Sequence, residues 1–588
     1  MDWFEKDFRY DKDKNVWSLK AEAGAFTYSD GDDNENYLLS VMRKAQSCAV
    51  MSEDMTRGMK NWPSTYHLHH QRCNLFRPIE EAIRGPVLEI GAGCGVLTRF
   101  LGEQGETVVA LEGSPRRAAI VGERCRDLPQ VSVLNANFQD FRPGEKFKTI
   151  TLIGVLEYAR VYFDDGSGDD PIDQLLRQVS EMLTPDGVLI IAIENQLGLK
   201  YFAGFPEDHL SIPMSGIEEH YTDDSVVTFG RQELGQRLAN AGLSEQRFAF
   251  PFPDYKFPEA VLSEQALSGA HAESYAELIT GCLVSDRQRP SRPSFRMSKV
   301  IKPVVRNGIG PDLANSFLVL CSKSPGALKQ TLESGAVYFG NGDRKKPYLK
   351  AVAFNESDDR LHVTRRALTD IPAPEDASFT QVLEDEVFIK GTHWGSNLQD
   401  VMISRHWTLD DVETWARVWF DALKEKADLS ETEHLKADVQ IDGSLLDAIP
   451  KNFIVDPAGV GHFFDLEWQS KASFDLGYIL VRGLADALAS VESANSSRNS
   501  ADLASLVFAV CERLGVAMTR ADVMTYLGKE EAFQKEVSNT PGASTKLRMV
   551  RDHISHRDVN RLDKVLRSAK RGAYMIRHPL LTLSNFRS

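Results

Sequence analysis

The run Val87-Leu88-Glu89-Ile90-Gly91-Ala92-Gly93-Cys94-Gly95-Val96-Leu97-Thr98-Arg99-Phe100-Leu101 sets a short apolar segment, a glycine turn and a helix-like pattern end to end. This order predicts a β-turn-α unit. Gly91, Gly93 and Gly95 remove three Cβ atoms where the backbone must turn sharply, and so let a ligand approach the main chain. The spacing is G-x-G-x-G, unlike the dinucleotide G-x-G-x-x-G, and Glu89 stands two positions before the first glycine. A carboxylate there repels a pyrophosphate, which argues against NAD and for a ligand that carries a cationic amino group and no phosphate.

The segments that follow alternate in the same style. Thr107 to Leu111 reads as a second strand ending at Glu112, where an acidic side chain can take both ribose hydroxyls. Val131 to Leu134 is a third strand and Lys148 to Ile153 a fourth. A helix over about Pro171 to Leu183 and a turn at Thr184-Pro185-Asp186-Gly187 precede a fifth strand, Val188 to Ile193. Such alternation predicts an α/β domain with a mainly parallel sheet and helices on both faces.

The glycine turn with Glu89 resembles motif I of the class I S-adenosylmethionine (SAM) methyltransferases, which implies a Rossmann-like fold with SAM as cofactor. The resemblance implies an adenine contact at Asn137 with Phe138 beside the ring, and a motif IV at Gly154-Val155-Leu156-Glu157-Tyr158, with Gly154 and Glu157 among the cofactor contacts. Upstream, Trp62 to Pro78 is dense in aromatics, basic groups and histidines. Tyr66 and Arg72 are read as cofactor contacts, because arginine pairs with a carboxylate in a two-pronged manner. His67, His69 and His70 lack a partnering set of cysteines or carboxylates at ligand spacing, so no metal site is expected.

Composition excludes several classes. A chain of 588 residues is too long for one core and implies two or three domains. The formal net charge of -16 argues against a general nucleic-acid surface, since polyphosphate affinity comes mostly from Lys and Arg. Seven cysteines without a C-x-x-C pair suggest reduced thiols in a cytoplasmic protein. No apolar run approaches the ~18 residues of a membrane span, and the charged start Met1-Asp2-Trp3-Phe4-Glu5 is not a signal peptide.

Four motifs, in order, carry a finer resemblance: Phe26 to Asp32, Trp62 to Pro78, Glu194 to His209, and Pro251-Phe252-Pro253-Asp254-Tyr255-Lys256-Phe257-Pro258. Together, over about residues 17 to 325, they resemble methyltransferases of bacterial O-antigen and other surface-polysaccharide assembly. The resemblance implies O-methylation of a sugar or glycan acceptor, lipid-linked in some readings. For a hydroxyl acceptor the enzyme must position the groups and remove a proton. His209 is the first candidate base, with Asp208 as its orienter or as the base itself, and His220 is a second candidate. Asn195, Lys200 and Tyr201 are candidates for holding acceptor oxygens.

The domain is expected to run over residues 1 to 325, with an insertion at about 258 to 313 and a last strand near Asn315 to Cys321. After Pro325, short alternating strands at Ala336 to Phe339, Tyr348 to Phe354 and Leu361 to Arg365 are expected to open an α+β domain over 326 to 490. There Asp447-Ala448-Ile449-Pro450-Lys451-Asn452 and the later Asp465 resemble the catalytic loop and metal-binding Asp of aminoglycoside-phosphotransferase-like kinases. The resemblance implies Asp447 as proton acceptor and Asn452 and Asp465 as magnesium ligands, with Mg-ATP as cofactor if the domain is active. Leu445 replaces the usual histidine, and Arg365 and Arg366 stand where the nucleotide lysine is expected, so a degenerate, positioning domain is the preferred reading. A helical region over 491 to 588 ends in the basic tract Arg567 to Arg577, which could also dock on an anionic membrane or a lipid-linked glycan. Besides a glycan O-methyltransferase, a bifunctional methyltransferase-kinase and a non-catalytic assembly protein both remain compatible with these motifs.

Overall fold

The computed structural model describes residues 3–20, 31–163, 166, 168–290, 293–328, 332, 334–340, 342–404, 406–432, 434–491 and 503–539. Phe26 to Asp30 and the basic tract Arg567 to Arg577 lie outside them. The chain divides into two compact units: the first is Met1–Gly342, Leu349–Asp370 and Asp385–Phe388, and the second is Asp343–Tyr348, Ile371–Glu384 and the chain from Ile389 on. No helix among the described residues is long and apolar enough to cross a membrane.

The first unit is built on one large sheet. Its strands are β1 (Phe8–Asp11), β2 (Val16–Leu19), β3 (Val87–Ile90), β4 (Val108–Glu112), β5 (Val131–Asn135), β6 (Phe147–Ile153), β7 (Leu183–Glu194), β8 (Glu245–Phe252), β9 (Ala260–Ser263), β10 (Ser316–Ser322), β11 (Ala336–Tyr338), β12 (Lys350–Ser357) and β13 (Arg360–Ala367). The spatial order is β1-β2-β5-β4-β3-β6-β7-β10-β8-β9-β11-β12-β13, with the two-residue strand Glu386–Val387 at the far edge. From β5 through β7 the strands are parallel, and β10 pairs antiparallel with both β7 and β8. All five strands expected from the sequence are present, because each is a Val/Ile/Leu-rich run that a sheet covered on both faces demands. Alternate residues supply the two faces: Leu88, Ile90, Val109 and Leu111 enter one core, while Val87, Val108 and Ala110 enter the other.

Two departures are informative. The expected turn at Thr184 to Gly187 is absorbed within β7: Phe147 pairs with Leu183 and Thr149 with Val188, so the residues between bulge out of the ladder. The strands assigned from the sequence to a second domain instead extend the first unit's sheet, with Val337 opposite Val261 and β12 and β13 following. The segment read as an insertion supplies that connecting strand, β9, which offers an open edge for β11 to pair with. The units therefore do not part at residue 325.

The second unit packs the helices Trp394–Met402, Leu409–Lys426, Leu476–Ala489, Leu503–Arg513 and Arg520–Val537 around Trp415, Trp419, Phe420 and Leu480. The last two helices lie in the region expected to be a separate tail, yet Leu503, Val507, Leu527 and Phe533 join this same core. Buried Arg482 spans two carboxylates: its Nη1 lies 2.6 and 2.7 Å from the oxygens of Glu530, and its Nη2 lies 2.9 Å from Asp447 Oδ1. Tyr478 donates to Glu530 at 3.0 Å. Removing the guanidinium leaves two buried carboxylates without a counter-charge, so Arg482→Ala should destabilise the second unit by about 3–5 kcal/mol. Chemical denaturation followed by tryptophan fluorescence reads this directly, and a loss below about 1 kcal/mol would show that the network contributes no more than a surface pair.

Candidate active site

Strand order reverses at β3: the chain passes from β3 outward through β4 and β5 on one side, and through β6 and β7 on the other. The crevice at the carboxyl ends of β3 and β6 is thus the switch point at which open α/β sheets bind ligands. Two glycine loops meet there. Gly91 has φ +75°, and a Cβ on it would lie 2.5 Å from Val155 Cγ2 in the loop after β6. Gly93, at φ +58°, has nothing within 4 Å of its Cβ position, so the turn presents an open backbone face at this point. Gly95 takes the left-handed conformation that opens the helix Val96–Glu103.

The carboxylates predicted around this turn are buried. Glu89 accepts from Thr98 Oγ1 at 2.5 Å, and burial pushes it up to about 7. Glu112, at the end of β4, accepts from Gly93 N at 2.7 Å and Ser114 N at 2.8 Å, while burial raises its pKa. Two backbone amides hold the carboxylate in place and leave lone pairs over for further donors. Asn137 follows β5 and starts the short turn Phe138–Asp140, in which Phe138 packs 5.7 Å from Phe163.

Arg72 and Tyr66 come from a compact pair of turns. Asn61 caps the helix Trp62–Leu68 with a reciprocal bond to Ser64, and the turn His70–Leu75 continues from it. The Arg72 guanidinium lies 3.8 Å from the centre of the Tyr66 ring. Its Nε and Nη1 are buried and make no hydrogen bond, and its charge reaches Glu89. A buried guanidinium with donors left over has the chemistry to pair with a carboxylate. Of the neighbouring histidines, His69 caps the second turn, and burial pushes it down to about 3.

Beyond β6 and β7 lies a second buried polar cluster. Gly154 has φ +67°, and a Cβ there would sit 2.7 Å from Tyr255 Oη, so this glycine makes room for the tyrosine. Glu157 is fully buried with no hydrogen bond to either oxygen, and burial followed by the charge of Glu194 pushes it up to about 8. Glu194 ends β7. Its Oε1 lies 2.5 Å from Lys256 Nζ and its Oε2 lies 3.5 Å from His209 Nε2. Burial works against its ionisation, but Lys256 and His209 prevail and bring it down to about 2. The Nδ1 of His209 lies 3.2 Å from Tyr158 Oη.

The proposed acid/base residues are arranged differently from the sequence expectation. Asp208 is buried and fully engaged: Lys256 Nζ lies 2.5 Å away, Lys200 Nζ 2.9 Å away, and Tyr201 Oη donates at 2.5 Å. Burial opposes its charge, yet the two ammonium groups hold it well below the usual carboxylate range. The side chains of Asp208 and His209 do point apart, and the partner of His209 is Glu194, which overcomes burial to raise the imidazole to about 9. An imidazole already carrying its second proton is no general base, and neither is a carboxylate held by three donors.

Two further candidates are displaced. His220 is exposed and sits 3.4 Å from Glu218. Asn195 is buried, but its Nδ2 donates to the carbonyls of Asp312 and Ala314 and its Oδ1 accepts from Leu197 N, so it latches backbone and has little left for an acceptor. Lys200 and Tyr201 reach the cluster only as partners of Asp208. The sequence reading passed over Glu194, Lys256 and Tyr158. An acidic residue closing a parallel strand was the available signal for the first of these.

In the second unit, Asp447 is 4% exposed and paired with Arg482, and burial, set against that pairing, leaves it at about 6. Asn452 Nδ2 donates to the carbonyls of Asp447 and Asp465. Asp465 has φ +48°.

The switch-point crevice, glycine turn and acidic strand end define a doubly wound domain that takes an adenosine-type cofactor. Residues 88–189 match the family described as "Methyltransferase domain", so this part of the chain is a class I SAM-dependent methyltransferase domain. A protein of Methanothermobacter thermautotrophicus is 40% identical over 67 residues, 11% of this chain and 27% of its own length. An uncharacterized methyltransferase of Oceanobacillus iheyensis is 27% identical over 136 residues, 22% of this chain and 59% of its own length. The chain thus spans less than two thirds of either relative. Among solved structures, a possible histamine N-methyltransferase of Thermotoga maritima superposes with TM-score 0.26 at 14% identity, covering 44% of this chain and 91% of its own. The cyclopropane synthase MmaA2 of Mycobacterium tuberculosis does so with TM-score 0.27 at 17% identity, covering 50% and 95%.

Proposed function

We propose that the protein transfers a methyl group from SAM to a hydroxyl of a sugar in a cell-surface polysaccharide or its precursor. The observation that carries the cofactor half of this reading is the buried guanidinium of Arg72, with Nε and Nη1 unpaired, near a glycine turn whose Gly93 has open space where a Cβ would be. This donor set fits SAM: Arg72 would hold the carboxylate, the acidic surroundings of Glu89 suit the ammonium, and Glu112 would take the ribose hydroxyls. When bound, SAM supplies an electrophilic methyl on a sulfonium. The acceptor hydroxyl would receive that methyl and release its proton to solvent, since Asp208 and His209 are held by their own partners.

The chain's own residues then orient the acceptor. Glu157, Glu194, Lys200, Asp208, His209 and Lys256 form a polar, charged cluster beyond β6 and β7, surroundings that would suit a polyhydroxyl acceptor better than an apolar one. The choice of a surface glycan rests on the four motifs described from the sequence. We read the second unit as a holding or positioning domain, supported by the burial of Asp447 against Arg482.

Calorimetric titration with SAM tests the cofactor site: Gly93→Arg should abolish binding, and Glu112→Ala should weaken it by about 1–3 kcal/mol. Wild-type affinity in both would sink the assignment. For the acceptor, mass spectrometry of the native polysaccharide with and without the gene should show loss of a methyl-sized increment, and an unchanged glycan would favour a non-catalytic assembly role. Incubation with labelled ATP and magnesium should leave the glycan unphosphorylated. Label that appears on it and vanishes in Asp465→Ala would make the protein bifunctional.

A further inference from the structure

Three segments distant in the chain bring Glu157, Glu194 and His209 together, with one ligand atom from each lying within 4.8 Å of the others. The first follows β6, the second ends β7 and the third lies in the loop beyond it. Neither oxygen of Glu157 makes a hydrogen bond, although the residue is 0% exposed, and the Nε2 of His209 is likewise buried without a hydrogen bond. Two buried carboxylates facing an imidazole edge, one with no hydrogen bond to either oxygen, form a donor set that a cation could bridge.

From this arrangement we propose that Glu157, Glu194 and His209 form a binding site for one divalent metal ion with mixed oxygen and nitrogen ligands. Metal ligands of these types stand about 2.0–2.2 Å from the ion, which separates two of them by roughly 3.0–3.5 Å. His209 Nε2 and Glu194 Oε2 are 3.5 Å apart. Lys256 does not block the position, because it holds Glu194 through the other oxygen, Oε1, and shares its ammonium with Asp208 Oδ1. The ion would displace the proton from Nε2, while on the far side of the ring Tyr158 Oη, 3.2 Å from Nδ1, can accept Nδ1–H. The other charges acting on the three residues are those of Lys256 and Asp208.

Three protein ligands leave coordination positions open. Resting on the reading of a hydroxyl acceptor, the ion would take the acceptor's oxygens and ease loss of the proton. Carboxylate ligands suit Mn2+ and imidazole suits Zn2+, so both are suitable probes.

The full chain, stripped with a chelator, should bind one Mn2+ or one Zn2+ per molecule in calorimetric titration with the metal alone. Glu157→Gln and His209→Ala should each lose that saturable binding while keeping the wild-type unfolding midpoint. Tyr158→Phe should weaken it about 10- to 100-fold. Absence of stoichiometric binding for both ions, or undiminished binding in a folded Glu157→Gln or His209→Ala variant, would overturn the proposal. Stoichiometric binding together with an unmethylated native glycan would leave the metal site standing and remove the acceptor assignment instead.

Discussion

Taking a carboxylate or an ammonium group out of water costs several kcal/mol per ion, and the end of β7 does so with Glu194, Asp208, Lys200 and Lys256 together. The cost is offset only because Lys256 sits between Glu194 and Asp208 while Lys200 lies against Asp208 from the other side. This network ties the loop after β7 to the segment following β8. Leaving either lysine out would strand a buried carboxylate. The Pro251 to Pro258 segment carries Lys256 to the strand end.

The same constraint explains why Asp208 and His209 cannot share one role. Adjacent residues in a loop send their side chains in different directions, and each side chain found its own partner: Asp208 the two lysines and Tyr201, His209 the carboxylate of Glu194. Charge pairing set the protonation state of both. A residue type suited to proton transfer was in place, but its neighbours had already committed it, which leaves Glu157 as the buried carboxylate of the cluster whose oxygens make no hydrogen bond.

Much of the first unit was legible because its information is local. Apolar runs of four to six residues bounded by glycine, and glycines spaced for a turn, specify β3 to β7 and the crevice between them regardless of what packs outside. Glu112 and Arg72 could be singled out as candidates from strand-end position and residue type. What could not be read was every feature depending on contacts between distant segments. Glu194 and Lys256 meet across the loop and three intervening elements, and no periodicity encodes that. The strands Ala336–Tyr338, Lys350–Ser357 and Arg360–Ala367 were correctly expected as strands, but their pattern says nothing about which edge they join. Asn195 shows the converse: a polar residue at a promising position whose amide is consumed by backbone carbonyls of a remote turn.

The second unit carries this lesson further. The spacing of Asp447 and Asn452 and the later Asp465 is compatible with phosphate chemistry, and the loop does bring Asn452 onto the carbonyls of the two aspartates. Yet the aspartate that should meet a hydroxyl is turned into the core, where Arg482, 35 residues later, neutralises it and is itself held by Glu530. A proton acceptor must be open to its donor, and a carboxylate with 4% exposure in a buried ion pair is not. Through Arg482, Asp447 also fastens the helix Leu476–Ala489 to its neighbours.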